Sequence, residues 1–165
     1  MSHSRVLSFF FVLLLLPFSL FSCKNTEKYR DSLSSEELAR DAEAVLSDTD
    51  FLSVGAEHLS DYVTLPSFAD DVTICLSTDG NRLDEFGIWH TDLQNADAAK
   101  DLFSEYLSTS LDRNRTFFDS YIPEETPKLR DAEVRVYGSY VAYAILDAPH
   151  RKLFFDTIEA ALKQA

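Results

Sequence analysis

Glycine and proline are scarce in this sequence, and that scarcity leaves little room for low-complexity linkers. The 165 residues include four glycines and five prolines. Aromatic residues make up 13% of the chain, which argues against intrinsic disorder because disordered segments are usually poor in aromatic side chains. The sequence therefore predicts a folded chain, and its length suits one domain with a hydrophobic core of its own.

Basic residues are also few, which argues against a nucleic-acid-binding protein. The chain has 15 Lys and Arg against 28 Asp and Glu, for a formal charge of −13. Binding to phosphates needs clustered Lys and Arg, and no basic stripe is visible. The same charge repels an anionic membrane surface. We interpret the acidity as favouring solubility, with an acidic site for cations or basic peptides as the alternative.

The signature motifs of several enzyme classes are missing as well. The sequence has no Gly-x-Ser-x-Gly elbow, and no serine is followed by lysine three positions later, which removes two common serine-hydrolase patterns. The four glycines are too scattered for a dinucleotide-binding or phosphate-binding loop. No His-Glu-x-x-His motif and no paired cysteines mark a zinc site. We therefore expect no catalytic residue, no cofactor and no metal.

Three histidines in the body of the chain remain as candidates for chemistry. His58 lies near Ser60 and Asp61, but catalytic triads are assembled in space rather than by sequence adjacency, so a surface histidine is favoured. His90 ends a predicted strand and is expected at the edge of the core, and His150 is expected to be exposed. A hydrolase that uses His58 or His90 with nearby carboxylates stays open, and it requires those groups to converge in one pocket.

The first 23 residues resemble an export signal that ends in a lipid-attachment site. Residues 1–5 are short and weakly positive, residues 6–16 are almost wholly apolar, and a cysteine stands at the expected cleavage point. Leu20-Phe21-Ser22-Cys23 resembles a bacterial lipobox, although Phe21 departs from the usual small or aliphatic residue at its position. The resemblance implies that a diacylglycerol is attached to the Cys23 thiol and that the chain is cleaved before it.

This interpretation predicts a lipid-anchored protein outside the cytoplasm. Two or three acyl chains, palmitate among them, anchor a protein stably where one would not. An uncleaved transmembrane helix would need about 20 apolar residues, and Pro17 interrupts a run that is already shorter. We therefore expect a leader over residues 1–22, a polar tether over 23–33 and a single domain over 34–165. Cys75 is then a lone thiol, expected to be buried and inert.

Hydrophobic periodicity predicts an α+β fold for that domain. We expect a four-stranded antiparallel sheet from two β-hairpins, each followed by an amphipathic helix (ββαββα), with an N-terminal helix and all helices packed on one face. The predicted helices cover residues 35–47, 95–121 and the segment after the capping residue Asp147, and the predicted strands cover 71–77, 85–91 and the hairpin 132–146.

Three segments fit this scheme less well. Residues 48–71 lack a clean period and predict a short helix or an irregular packing segment. Residues 122–130 contain two prolines and predict a loop. In the long helix, Ser110 and Asn114 fall on the apolar stripe and dilute it, which leaves open a bend or break near Arg113.

Strand alternation also predicts a candidate interaction face. It places Trp89, Arg135 and Tyr137, with Tyr140, on faces opposite the clearest aliphatic ones. An open antiparallel sheet can present such a face to a partner. The alternative, which we favour, is that residues 51–68 cover this face and complete the core.

Four stretches carry a resemblance to a known family. They are EFGIW (85–89), ADAAK (96–100), FDSYIPEETPKL (118–129) and AEVRVYGSYV (132–141). Together they resemble an uncharacterised family of small bacterial lipoproteins, the domain of unknown function DUF4358. The resemblance implies a fold and a lipid anchor, and it brings no activity or catalytic residue.

The sequence thus favours a non-enzymatic, lipid-anchored binding or interaction module. Its partner would be the membrane through the lipid, together with a protein or small ligand that the sequence does not identify. Two alternatives stay open, namely an uncharacterised hydrolase of the cell envelope and an accessory structural subunit of an envelope complex.

Overall fold

A five-stranded antiparallel sheet lies between two layers of helices. The computed structural model describes residues 29–163. In chain order the elements are α1 (Ser35–Val45), β1 (Phe51–Val54), a 3₁₀ helix (Ala56–Asp61), β2 (Asp71–Ser77), β3 (Glu85–His90), α2 (Ala96–Tyr121), α3 (Thr126–Arg130), β4 (Glu133–Tyr137), β5 (Tyr140–Ile145) and α4 (Ala148–Lys163).

The described sheet has five strands, in the order β1-β2-β3-β5-β4, where four were expected. Both predicted hairpins are confirmed, and pairing of β3 with β5 joins them. The additional strand β1 pairs with the outer edge of β2, where Val54 lies opposite Ile74. Leu52 on this edge strand is exposed, so the segment lacks the alternation that marks a half-buried strand. The short helix expected in the same region is the 3₁₀ helix.

Helices cover both faces of the sheet, which corrects the expectation that all of them pack on one face. The first face carries Phe86 and Ile88 and packs against α1 and α4, whereas the second carries Trp89 and Tyr143 and packs against α2. The reason is visible in β5, whose side chains from Tyr140–Ile145 are all buried. A strand with one face in water would alternate apolar and polar residues, but this one is a continuous apolar run.

The helix boundaries follow local chemistry. Ser34 and Glu37 form a capping box at the start of α1. The Asp147 carboxylate accepts a hydrogen bond from the backbone N–H of His150, as a cap of α4 should. The long helix α2 is continuous through Arg113. Residues 126–130 form the short helix α3 instead of a loop, because a proline is tolerated in the first turn of a helix, where Pro127 lies.

The candidate interaction face predicted from the sequence is not formed. Trp89 is fully buried on the second face, between Phe68 and Phe103. Tyr137 is buried on the first face, and the Arg135 guanidinium lies over the ring of Phe155 in α4. These residues therefore lie on opposite sides of the sheet and share no exposed surface. The segment after β1 contributes to the cover of Trp89, as the favoured alternative anticipated.

The last part of the expected tether lies against the domain. In residues 29–33, the backbone N–H of Leu33 donates to the Tyr140 hydroxyl, and that hydroxyl donates to the Leu33 carbonyl. The backbone N–H of Arg30 donates to the carbonyl of Leu162 at 3.0 Å. The leader and the lipobox residues Leu20, Phe21, Ser22 and Cys23 lie outside the described residues.

Two further findings concern the Cys75 thiol and the helices. Cys75 is buried, as expected, and desolvation raises the pKa of its thiol to about 12, so the thiol stays protonated and unreactive at neutral pH. Among the helices of residues 29–163, none is both long enough and apolar enough to cross a lipid bilayer.

Candidate functional site

A cavity of about 310 Å³ opens at the end of the sheet where β2 ends and β3 begins. It lies on the second face, between the sheet and α2, and the 3₁₀ helix and α3 complete its walls. The side chains that shape it include His58, Tyr62, Glu85, Tyr106, Asn114 and Phe117. A volume of this size lies at the small end of the range for ligand pockets in proteins.

Helix α2 supplies one wall through residues spaced along a single face. Tyr106, Ser110 and Asn114 follow one another at intervals of four, so they stack along the helix toward the cavity. The Asn114 side-chain amide donates to the carbonyl of Ser110 at 3.0 Å, which holds the side chain in place. The polar residues that dilute the apolar stripe of this helix are therefore the ones that line the cavity.

Glu85, the first residue of β3, brings a carboxylate to the cavity wall. The Tyr106 hydroxyl donates to Oε1 of Glu85 at 2.7 Å, and the Tyr143 hydroxyl donates to the same oxygen. Within residues 29–163, no hydrogen-bond donor is bonded to Oε2. The cavity thus contains a carboxylate with one oxygen fixed by two tyrosines and the other left for a further donor.

Gly87 makes this arrangement possible. It lies two residues after Glu85 on the same face of β3 and opposite Tyr143 of β5. A Cβ atom at position 87 would lie 2.2 Å from Cε1 of the Tyr143 ring, so any larger residue would displace that ring. The absence of a side chain therefore allows Tyr143 to lie flat across β3 and reach the Glu85 carboxylate.

His58, which also lines the cavity, extends the hydrogen-bonded chain beyond Tyr106. Its Nε2 lies 3.1 Å from the Tyr106 hydroxyl oxygen. Because the Tyr106 hydroxyl donates its only hydrogen to Glu85, it accepts from His58, and Nε2 carries the proton of that bond. Tyr62 packs edge-on against the Tyr106 ring, with centroids 5.2 Å apart. The chain from His58 through Tyr106 to Glu85 fixes the positions of all three groups.

Burial controls the protonation of these groups. Desolvation raises the pKa of Glu85, and the hydrogen bonds from Tyr143 and Tyr106 and the proximity of His58 offset only part of that effect. Desolvation also raises the pKa of both tyrosines, and the neighbouring Glu85 carboxylate adds to it. Both tyrosines therefore remain neutral hydrogen-bond donors at physiological pH.

A buried ion cluster fixes the rim beside Glu85. Asp84 is only 3% exposed and accepts a hydrogen bond from Nζ of Lys128 at 2.7 Å and another from Nε of Arg82. The same Lys128 ammonium donates to Glu125 at 2.7 Å. Burial alone would lower the pKa of Lys128, but its bonds to the two carboxylates outweigh that effect and raise it. Helix α3, predicted as a loop, is thereby attached to the β2–β3 connection.

The second histidine lies at a different place. His90 is at the far end of β3 from Glu85 and on the first face, at the edge of the core as predicted. Its Nδ1 lies 3.1 Å from Oδ2 of Asp71, its Nε2 lies 2.7 Å from Oδ1 of Asp31, and its ring stacks on Tyr140. Both ring nitrogens are therefore engaged by carboxylates, and His58 and His90 do not share a site.

The serines near His90 do not complete a catalytic triad. The hydroxyl of Ser35 donates to Oδ1 of Asp71 at 2.6 Å, and the hydroxyl of Ser139 donates to Asp31. A nucleophilic serine would instead donate to the histidine. Within residues 29–163, no group of three or more His, Cys, Asp and Glu side chains is placed to hold a metal ion.

Comparison with protein families supports the resemblance seen in the sequence. Residues 62–146, just over half of the chain, match the family described as a domain of unknown function, DUF4358. The chain belongs to the DUF4358 family. The matched segment runs from Tyr62 beyond the end of β5 and so contains Glu85, Tyr106 and Tyr143. This DUF4358 protein matches no curated protein and no solved structure.

Sequence reasoning missed most of this site. The apolar stripe of α2 predicts Tyr106, Phe117 and Phe118 as core residues. Tyr106 and Phe118 are buried in the core and also line the cavity, whereas Phe117 lines it with 54% of its surface exposed. One signal was present, since Ser110 and Asn114 interrupt that stripe where the cavity lies. Glu85 gave no signal of its own, because an acidic residue at the start of a strand is usually exposed.

Proposed function

We propose that this DUF4358 protein is a lipid-anchored, non-catalytic module that binds a small ligand in the Glu85 cavity, outside the cytoplasm. The observation that carries the proposal is the Glu85 carboxylate, which two tyrosines orient toward a cavity of ligand size. Burying a carboxylate costs free energy, and a cavity that retains one is commonly a functional site.

The arrangement of the cavity supports binding over catalysis. Among residues 29–163, the serines that line it are Ser77 and Ser110, and neither is hydrogen-bonded to His58, whose Nε2 is engaged by Tyr106. A nucleophilic serine needs an adjacent general base within hydrogen-bond reach. The tyrosines keep their protons at physiological pH, so they suit the role of fixed donors.

Filling the cavity should abolish ligand binding without unfolding the chain. Ser110→Leu adds an apolar side chain from α2 into the cavity, and Thr116→Leu makes a matched change at an exposed position of the same helix. We expect saturation-transfer NMR with the full chain in detergent to identify water-soluble compounds that bind the wild type and Thr116→Leu but bind Ser110→Leu at least tenfold more weakly. The proposal fails if no compound binds the wild type, or if a folded Ser110→Leu variant binds the same compounds equally well.

The anchoring part of the proposal depends on Cys23. Leu20-Phe21-Ser22-Cys23 supports it through its resemblance to a lipobox. Cys23→Ala removes the thiol that would carry the lipid, so we expect the chain to stay uncleaved and to lose acyl mass. Intact mass spectrometry measures cleavage and acyl mass, and membrane fractionation measures retention at the membrane. Cys75→Ala is the matched control. Normal cleavage and full membrane retention of Cys23→Ala would contradict lipid anchoring.

A further inference from the structure

We propose that the ligand of the Glu85 cavity carries a protonated amine, which the Glu85 carboxylate receives through Oε2. This inference rests on the proposed binding function and adds the chemical class of the ligand. It follows from the polar atoms that face the cavity, from the aromatic rings around it and from the charges at its rim.

Two acceptor oxygens of the cavity wall have no donor from the described part of the chain. Among residues 29–163, no donor is bonded to Oε2 of Glu85, while Oε1 already accepts from Tyr106 and Tyr143. The Asn114 amide group donates one hydrogen to the carbonyl of Ser110, and its oxygen accepts no hydrogen bond within the described residues. The hydroxyl hydrogens of both tyrosines are used within the protein. A ligand that complements such a surface brings donors, and an ammonium group has three donors and no acceptor.

Aromatic rings form part of the cavity wall, which suits a cation. Tyr62, Tyr106 and Phe117 line the cavity, and the faces of such rings attract cations. The Arg113 guanidinium lies 5.4 Å from the centroid of the Tyr62 ring, so one ring of this group already holds a cation. Phe117 is 54% exposed and stacks on Tyr121, which leaves an aromatic rim open to an incoming ligand.

The charges at the rim favour a cation over an anion. Arg82 is the one arginine or lysine among the described residues that line the cavity, and its guanidinium is bonded to Asp84 and lies 3.9 Å from an oxygen of Asp48. Lys128, just behind the rim, is engaged by Asp84 and Glu125. An incoming anion would compete with Asp84 and Glu125 for the basic side chains and would be repelled by Glu85. A protonated amine would instead be attracted to Glu85, whose Oε2 has no donor within the described residues.

Three probes that differ only at their polar end test the assignment. They are 2-phenylethylamine, 2-phenylethanol and phenylacetate, titrated calorimetrically at pH 8 into the full chain in detergent, with a detergent blank. We expect the amine to bind at least about tenfold more tightly than the alcohol or the acid. Glu85→Gln keeps the size of the side chain and an oxygen for both tyrosines, and it should weaken amine binding by a similar factor.

Two control variants separate the possible results. Glu105→Gln makes the same charge change on the exposed side of α2 and should leave amine binding unchanged, while Ser110→Leu should remove it. If the alcohol or the acid binds as tightly as the amine and is lost in Ser110→Leu, the cavity binds ligands but the amine assignment is wrong. If no probe shows binding that Ser110→Leu removes, both the assignment and the proposed function are contradicted.

Discussion

Replacing Gly87 with alanine should destabilise this protein by about 3 kcal/mol, the largest effect that we expect from a single small substitution. The new Cβ would lie 2.2 Å from Cε1 of Tyr143, so the ring must move. Overpacking a buried site costs roughly 1–3 kcal/mol, and loss of the hydrogen bond from Tyr143 to Glu85 adds about 1.5–3 kcal/mol because the acceptor is a carboxylate. Thermal unfolding should show a midpoint lowered by roughly 10 °C.

Gly80→Ala is the matched control for this experiment. Gly80 lies in the β2–β3 connection, and a Cβ atom there meets nothing within 4 Å. Its replacement should therefore leave the unfolding midpoint within about 2 °C of the wild type, or raise it slightly by restricting the unfolded chain. Equal midpoints for Gly87→Ala and Gly80→Ala would show that Tyr143 does not lie across Gly87 as described.

The second large effect concerns the dependence of stability on pH. Because burial raises the pKa of Glu85 in the folded protein, the folded state holds a proton that the unfolded state has released. The wild type therefore loses stability as the pH rises from the ordinary glutamate range through the folded pKa of Glu85. Glu85→Gln has no proton to lose, so its stability relative to the wild type should increase with pH between pH 4 and pH 8.

Thermal unfolding of Glu85→Gln and the wild type across this pH range measures the difference directly. The titratable and charged groups that line the cavity with Glu85 or bond to it are, among the described residues, His58, Tyr62, Arg82, Asp84, Tyr106 and Tyr143. Glu105→Gln, at an exposed position of α2 where no ion pair forms within residues 29–163, controls for the loss of one negative charge. A Glu85→Gln curve parallel to the wild type would mean that Glu85 ionises as freely as a surface glutamate.

The hairpins could be predicted from the sequence because alternation and turn chemistry agree. Gly138 in the β4–β5 turn has a φ of 63°, a conformation that glycine adopts without strain, and it lies within the hairpin predicted over residues 132–146. The long periodic stripe of α2 was equally clear. The start of α1 was predicted because a capping box satisfies orphan backbone groups through residues close in sequence.

The errors arose where distant contacts decide the structure. Strand β1 forms because β2 offers an unpaired edge, and no local pattern in its four residues shows this. Helix α3 is held by the contact of Lys128 with Asp84, which is 44 residues away in sequence. For Trp89 the sequence leaves an exposed face and a covered face open and favours the covered one, because alternation shows which residues share a face and does not show what packs against that face.

The candidate site was the least predictable part for the same reason. Its central carboxylate comes from β3, its two tyrosines come from α2 and β5, and its histidine comes from the 3₁₀ helix. Each of these residues has an ordinary local interpretation, and only the folded chain places them together. Interruption of an apolar helical stripe by polar residues is the sequence signal that pointed toward the cavity.

Titration of the Glu85 carboxyl carbon is the most direct test of whether the Glu85 carboxylate binds an amine in this cavity. A carbon-detected NMR titration of the full chain, with side-chain-labelled glutamate, follows its protonation with and without 2-phenylethylamine. We expect Glu85 to release its proton at a higher pH than the exposed glutamates, and we expect the amine to lower that midpoint because it favours the ionised form. A Glu85 signal that titrates with the exposed glutamates and does not respond to the amine would contradict the proposed site.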